Sequence, residues 1–153
     1  MFAREKMTKR LYFASPEEDL LSVYARMVEL NVRHMLVIES GKMVGILSDR
    51  DMLLYAKPGR SYDFPEGLSV REVMAKDPIH GTPDMSIAAI AQTMLEHRID
   101  ALPVLRIDGG VMGLITTTDL LRLIANHDLE APRLQASAEP IGSYAWELCE
   151  DII

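Results

Sequence analysis

Apolar positions along the chain change period in a fixed order, and they do so twice. A short apolar stretch, "RLYFA" (10–14), leads into Ser15-Pro16, after which Leu20, Tyr24, Met27 and Val28 recur at helical spacing. Two dense apolar runs around a turn follow, "HMLVI-ESGK-MVGIL" (34–47), which is the pattern of a hairpin. An amphipathic "DMLLYA" (51–56) closes the series. The second pass begins with "PIHG" (78–81) and Thr82-Pro83, and Ile87, Ala91, Met94 and Leu95 then recur at helical spacing. It ends with the hairpin "ALPVL-RIDGG-VMGLI" (101–115) and "DLLRLIA" (119–125). Both passes predict β-α-β-β-α. A hydroxyl followed by proline predicts each long helix to start at Ser15-Pro16 and Thr82-Pro83, with Glu18 completing a capping box in the first.

The two passes are copies. At an offset of 67, "AREKM" (3–7) falls on "VREVM" (70–74), and Pro16 meets Pro83. One extra residue near Asp108 shifts the offset to 68, after which Gly45 meets Gly113 and Asp51 meets Asp119. Two such copies are too few for a solenoid and predict two similar lobes related by a pseudo-twofold. The expected layout is residues 1–56, a proline- and glycine-rich linker at 57–69, residues 70–126, and a tail at 127–153. The tail ends in "SYAWELCEDII", which reads as a frayed terminus, an apolar clasp or a docking peptide.

Each copy carries glycine, a hydroxyl three residues on and an aspartate three beyond: "GILSDRD" (45–51) and "GLITTTD" (113–119). Ser48 with Asp51, and Thr116 with Asp119, form the pattern of a capping box where a strand turns into a helix. The same groups suit a nucleotide, since a hydroxyl donates to phosphate and a carboxylate accepts from a ribose diol. Gly45 and Gly113 leave room for a ligand or for the neighbouring lobe.

Composition narrows the classes. The chain has 153 residues, 48% of them hydrophobic, and a net charge of −7, which disfavours a nucleic acid as main partner. It has no apolar run of membrane-spanning length and no apolar signal core after "MFAREKMTKR", and it has a single cysteine, Cys149. A cytoplasmic protein is expected. Met27, Met35 and Met94 lie on apolar faces and are expected in the core. His97 and His127 lack partners at metal-ligand spacing, so no metal site is expected. No nucleophile with a base and no Walker-type loop is found, which argues against an enzyme.

Two β-α-β-β-α units with the "RExM" lead, the Ser/Thr-Pro start, "LPV" (102–104) and paired G-x-x-[ST]-x-x-D motifs resemble a tandem pair of cystathionine-β-synthase (CBS) domains, the Bateman module. The resemblance covers residues 3 to 126 and implies an α/β (α+β) fold, with two pseudo-twofold-related units packed sheet to sheet around two clefts. It implies a regulatory ligand, an adenine nucleotide such as AMP, ADP or ATP, or S-adenosylmethionine or NAD, with no obligatory cofactor. Asp51 and Asp119 then resemble ribose acceptors, and Ser48 and Thr116 phosphate or ribose contacts. Phe13 and Ala14, or His80 and Gly81, resemble the adenine slot, and Arg33 and His34 basic phosphate contacts. The second copy has Asp100 and Ala101 where the first has Arg33 and His34, and Thr118 in place of Arg50. The cleft of Ser48 and Asp51 is therefore expected to bind more tightly, unless basic residues cross from the other lobe. The resemblance also implies a homodimer, with apolar faces around Met52, Leu53, Leu120 and Leu123, acting on an unidentified regulated protein. The alternative is a protein-interaction scaffold with empty clefts.

Overall fold

The computed structural model describes residues 1–57 and 64–126; the expected tail and most of the expected linker's first half lie outside the described residues. The first copy runs α1 (Ala3–Lys6), β1 (Phe13–Ala14), α2 (Leu20–Leu30), β2 (His34–Glu39), β3 (Lys42–Ser48) and α3 (Asp49–Leu53). The second runs α4 (Val70–Val73), β4 (Ala75–Lys76), α5 (Ile87–His97), β5 (Ala101–Leu105), β6 (Val111–Thr116) and α6 (Thr117–Asn126). The expected order is present in the first copy; in the second, the strand expected at "PIHG" (78–81) is reduced to a single bridge, Gly81 to Val104, and β4 is instead an earlier segment that joins the first copy's sheet. One helical turn from the "RExM" lead precedes each copy.

The long helices begin later than Ser15-Pro16 and Thr82-Pro83 suggested. Ser15 to Glu18 close a turn, in which the Glu18 carboxylate accepts from the Ser15 N–H at 2.6 Å and the Glu18 N–H donates to the Ser15 carbonyl at 3.2 Å. Proline at the second position of a turn serves that geometry as well as it serves a helix start. The caps are Asp19, accepting from the Ser22 N–H at 3.0 Å, and Ser86, accepting from the Ala89 N–H at 3.1 Å. The inward face shifts accordingly to Leu20, Val23 and Met27 in α2 and to Ile90 and Met94 in α5, leaving Val28 and Leu95 exposed. Met27, Met35 and Met94 are buried, as expected.

β1 runs parallel to β2, and β2 and β3 form an antiparallel hairpin. The sheet is completed from the other copy: β4 pairs with β3 through Gly45↔Lys76 and Ile46↔Ala75. The reciprocal contact joins Thr8 to Leu114 of β6, with hydrogen bonds of 2.9 and 3.0 Å. The second copy thus lends a short strand, and the first a single bridging residue, to an edge the other would leave open.

The side chains follow the same exchange. A Cβ added at Gly45 would lie 2.6 Å from Met74 Sδ, and one at Gly113 would lie 2.5 Å from Met7 Sδ. The glycines of the heptapeptides therefore admit the neighbouring lobe. Met74, Val70 and Val73 belong to the first lobe's core, and Met7 and Ala3 to the second's. Burying one such methionine is worth about 1.5–3 kcal/mol. Arg71 fastens the crossing by donating its backbone N–H to the Pro16 carbonyl at 2.9 Å and its guanidinium to Glu17 and Glu39. Arg4 does likewise, with its N–H on the Pro83 carbonyl at 3.0 Å and an ion pair to Asp84. Between the sheets, Leu36 of β2 packs with Ala101 of β5 and Leu114 of β6, so the lobes meet sheet to sheet. Met52 lies fully buried in the first core and offers nothing to a partner surface, in contrast to the expectation from its helix pattern.

Candidate functional site

Both heptapeptides end a strand and start a helix, and both form the capping box. Asp51 Oδ2 accepts from the Ser48 N–H at 3.2 Å and from Ser48 Oγ at 2.6 Å, while the Asp51 N–H donates to Ser48 Oγ at 3.1 Å. Asp119 Oδ2 accepts from the Thr116 N–H at 2.9 Å and from Thr116 Oγ1 at 2.7 Å, and the Asp119 N–H donates back at 3.3 Å. The cap occupies Oδ2 of each carboxylate and holds it rigidly, leaving Oδ1 pointing elsewhere. Asp119 Oδ1 lies 3.7 Å from the Arg122 guanidinium. Capping and ligand recognition are compatible here, because they use different oxygens.

The surroundings of the two boxes differ in size. The cleft containing Ser48 and Asp51 encloses about 160 Å³. The cleft containing Thr116 and Asp119 encloses about 680 Å³. Only the second falls in the range of about 300–1,000 Å³ typical of small-molecule sites. Its walls come from both copies. β6 and α6 supply Thr116, Thr118, Asp119 and Arg122, the N-terminal arm supplies Thr8, Arg10, Leu11 and Tyr12, and the turn between α2 and β2 supplies Asn31 to His34.

Charge follows the same asymmetry. The larger cleft sets Arg10, Arg33, Arg50 and Arg122 against Asp100 and Asp119. The smaller sets Arg33, Arg50 and Arg98 against Asp49, Asp51 and Asp100, a balanced count. Arg33, His34 and Arg50 stand in both walls, so basic residues do cross between lobes. Local charge therefore does not single out the Ser48–Asp51 cleft, and the other cleft carries the excess of positive charge. Both shared arginines are ion-paired, Arg33 with Asp49 at 3.1 Å and Arg50 with Asp100 at 2.8 Å. His34 is held below its ordinary value of 6.5 chiefly by burial, with Asp49 opposing and Arg33 adding to the shift. An anion placed beside it would act as Asp49 does and raise it.

Phe13 and Ala14, expected at the adenine slot, form β1, and His80 and Gly81 hold the equivalent place before α5. Ala14 is buried under the first lobe, and Phe13 is exposed at the edge of β1. Gly81 packs against Leu102, and His80 is exposed with its ring nitrogen 3.2 Å from the Pro78 carbonyl. None of the four lines either cleft. The apolar walls of the larger cleft include Leu11, Tyr12, Val32 and Leu121, none of which the sequence marks as a site residue. Arg10 and Arg122 were also missed. Their signal was faint, a basic residue three positions before Phe13 and another three after Asp119.

Two fused lobes that pair edges with each other and share clefts at their seam define a tandem two-lobed module. The chain matches the CBS domain family over residues 3–57 and 70–126 and belongs to it. It is 30% identical over 118 residues to the CBS domain-containing protein YhcV of Bacillus subtilis, covering 76% of this chain and 81% of that one. It is 27% identical over 115 residues to inosine-5'-monophosphate dehydrogenase of Nitrosopumilus maritimus, covering 74% of this chain but 22% of that enzyme. Among solved structures it resembles CBSX2 in complex with AMP, with a TM-score of 0.72 and 21% identity over 83% of this chain and 98% of that one. It also resembles the CBS domain pair of MJ0100 in complex with 5'-methylthioadenosine and S-adenosyl-L-methionine, with a TM-score of 0.70 and 20% identity over 82% and 96% of the two chains. These likenesses establish the fold as that of a CBS pair. Among the described residues no helix is long and apolar enough to cross a membrane, and no group of three or more His, Cys, Asp or Glu side chains could hold a metal.

Proposed function

We propose that this CBS pair senses an adenosine-containing anion, with AMP, ADP or ATP as first choice, in the Thr116–Asp119 cleft. One observation carries the reading: a single cleft of nucleotide size combines a rigidly held carboxylate with four arginines, Arg10, Arg33, Arg50 and Arg122. Asp119 accepts from the ribose diol through Oδ1, and Thr116 holds it in place. The arginines take the phosphate, and His34 joins them as an imidazolium once the anion is present. Leu11, Tyr12 and Val32 flank the base. That the structural relatives named above were solved with AMP or with S-adenosylmethionine and methylthioadenosine supports an adenosine ligand.

The module regulates and does not catalyse, in this reading, and its output passes through a partner protein or through its own assembly. Leu121 and Ile124 of α6 and Leu53 and Leu54 at the end of α3 are exposed apolar groups suited to a homodimer contact. Ligand at about a hundred times its Kd stabilises the fold by roughly 2.7 kcal/mol. Thermal unfolding with millimolar AMP, ADP, ATP, S-adenosylmethionine and NAD should show a shift of several degrees with at least one of them. No shift with any would leave the empty-cleft scaffold. Light scattering on the same samples should give twice 17.2 kDa, and a mass of 17.2 kDa would remove the dimer.

A further inference from the structure

Arg33 and Asp100 occupy equivalent places in the two copies. The Asp49 N–H donates to the Arg33 carbonyl at 3.0 Å, and the Thr117 N–H donates to the Asp100 carbonyl at 3.0 Å. The backbone is symmetric at this seam and the charges are opposite. Around the seam Arg33, His34, Arg50 and Asp100 each face both clefts. Arg50 NH1 binds Asp100 Oδ2 at 2.8 Å, which makes the shared wall a closed ion pair between a helix of one copy and the β5 start of the other. The first copy alone supplies shared cations, so the seam has one set of them for two clefts.

Building on the nucleotide reading, we infer that the two clefts are negatively coupled through the Arg50–Asp100 pair, so that one phosphate-bearing ligand binds per chain. A phosphate in the larger cleft competes with Asp100 for Arg50 and recruits Arg33 and His34 to the same side. Asp100, 43% exposed at its side chain, is then left without its guanidinium and faces the smaller cleft. There it stands with Asp49 and Asp51, and the only cation not shared with the occupied cleft is Arg98. A second anion meets three carboxylates where the empty protein balanced them.

The test is calorimetric titration of the full chain with AMP, alongside Asp100→Asn. Asparagine keeps an oxygen for the Thr117 hydroxyl, which lies 3.5 Å from Asp100 Oδ1, and a melting curve confirms that the variant folds. The wild type should bind one AMP per chain, with any second step at least about tenfold weaker. Asp100→Asn should bring the second step to within about threefold of the first, because the repelling charge is gone. Two independent equivalent sites in the wild type would overturn the coupling and leave the nucleotide reading standing. An unchanged second step in Asp100→Asn would overturn the role of this pair. Absence of heat with AMP, ATP and S-adenosylmethionine alike would overturn both.

Discussion

Replacing Asp119 and, separately, Asp51 with alanine makes a controlled pair. The two carboxylates sit in the same motif and make the same cap, with Oδ2 accepting the hydroxyl at 2.7 Å in one and 2.6 Å in the other. Both substitutions should therefore cost similar stability. Loss of a helix cap costs about 1 kcal/mol, and the partial exposure of these groups keeps the total near 1–2 kcal/mol. For a chain of this length that lowers Tm by roughly 2–4 °C per kcal/mol. Binding should separate them. A ribose diol donating to Asp119 makes bonds worth about 1.5–3 kcal/mol each, so Asp119→Ala should weaken nucleotide affinity at least about tenfold. Asp51 lines a cleft of only about 160 Å³, and its alanine variant should change Kd by less than about threefold. Calorimetry gives Kd and differential scanning gives Tm on the same samples. If Asp51→Ala weakens the high-affinity step and Asp119→Ala does not, cleft size and arginine excess are the wrong guides to the site. If both lower Tm but neither changes Kd, the motif is a cap alone.

Two further perturbations probe the seam and the charge beside the ligand. Gly113→Ala places a Cβ 2.5 Å from Met7 Sδ and should destabilise by about 1–3 kcal/mol; combined with Met7→Ala the costs should be clearly sub-additive, and simple additivity in urea melts would refute the contact. His34 is depressed below 6.5 in the fold, so its neutral form contributes stability that is present above pH 6.5 and lost as pH falls from there towards its folded value. A bound phosphate reverses the bias against the Asp49, Asp51, Asp100 and Arg33 background, so nucleotide binding should take up a proton. Affinity should fall more steeply from pH 6 to 8 in the wild type than in His34→Gln, and parallel curves would exclude His34 from the site.

Much of this architecture could be read in the sequence because every signal is written twice. Gly45 with Gly113, Asp51 with Asp119 and the hairpins around them align without structural information, and the caps formed where the motif placed them. The helix starts were misread because Ser-Pro and Thr-Pro suit a turn as well as a first helical residue, and only the packing of Leu20, Val23 and Met27 selects Asp19 as the cap. Met7 and Met74 matched in register, but no local pattern states which glycine a methionine will cover in another lobe.

The clefts were harder for the same physical reason. Pattern reasoning assembles a site within one copy, joining Phe13 and Ala14 to Ser48 and Asp51, whereas the arms at 7–8 and 74–76 cross and bring the first copy's Arg10 to Tyr12 against the second copy's Thr116 and Asp119. Once the arms cross, positions alike in the two copies and positions unlike in them do separate work. Gly45 and Gly113, Met7 and Met74, and Asp51 and Asp119 hold two lobes in one geometry, which requires the same side chain on both sides of the axis. Arg33 opposite Asp100 and Arg50 opposite Thr118 break that symmetry where the clefts meet. A pseudo-twofold scaffold with unlike charges on its axis does not present two identical anion sites, and Arg10 and Arg122, which line the larger cleft alone, widen the difference that the motif itself does not make.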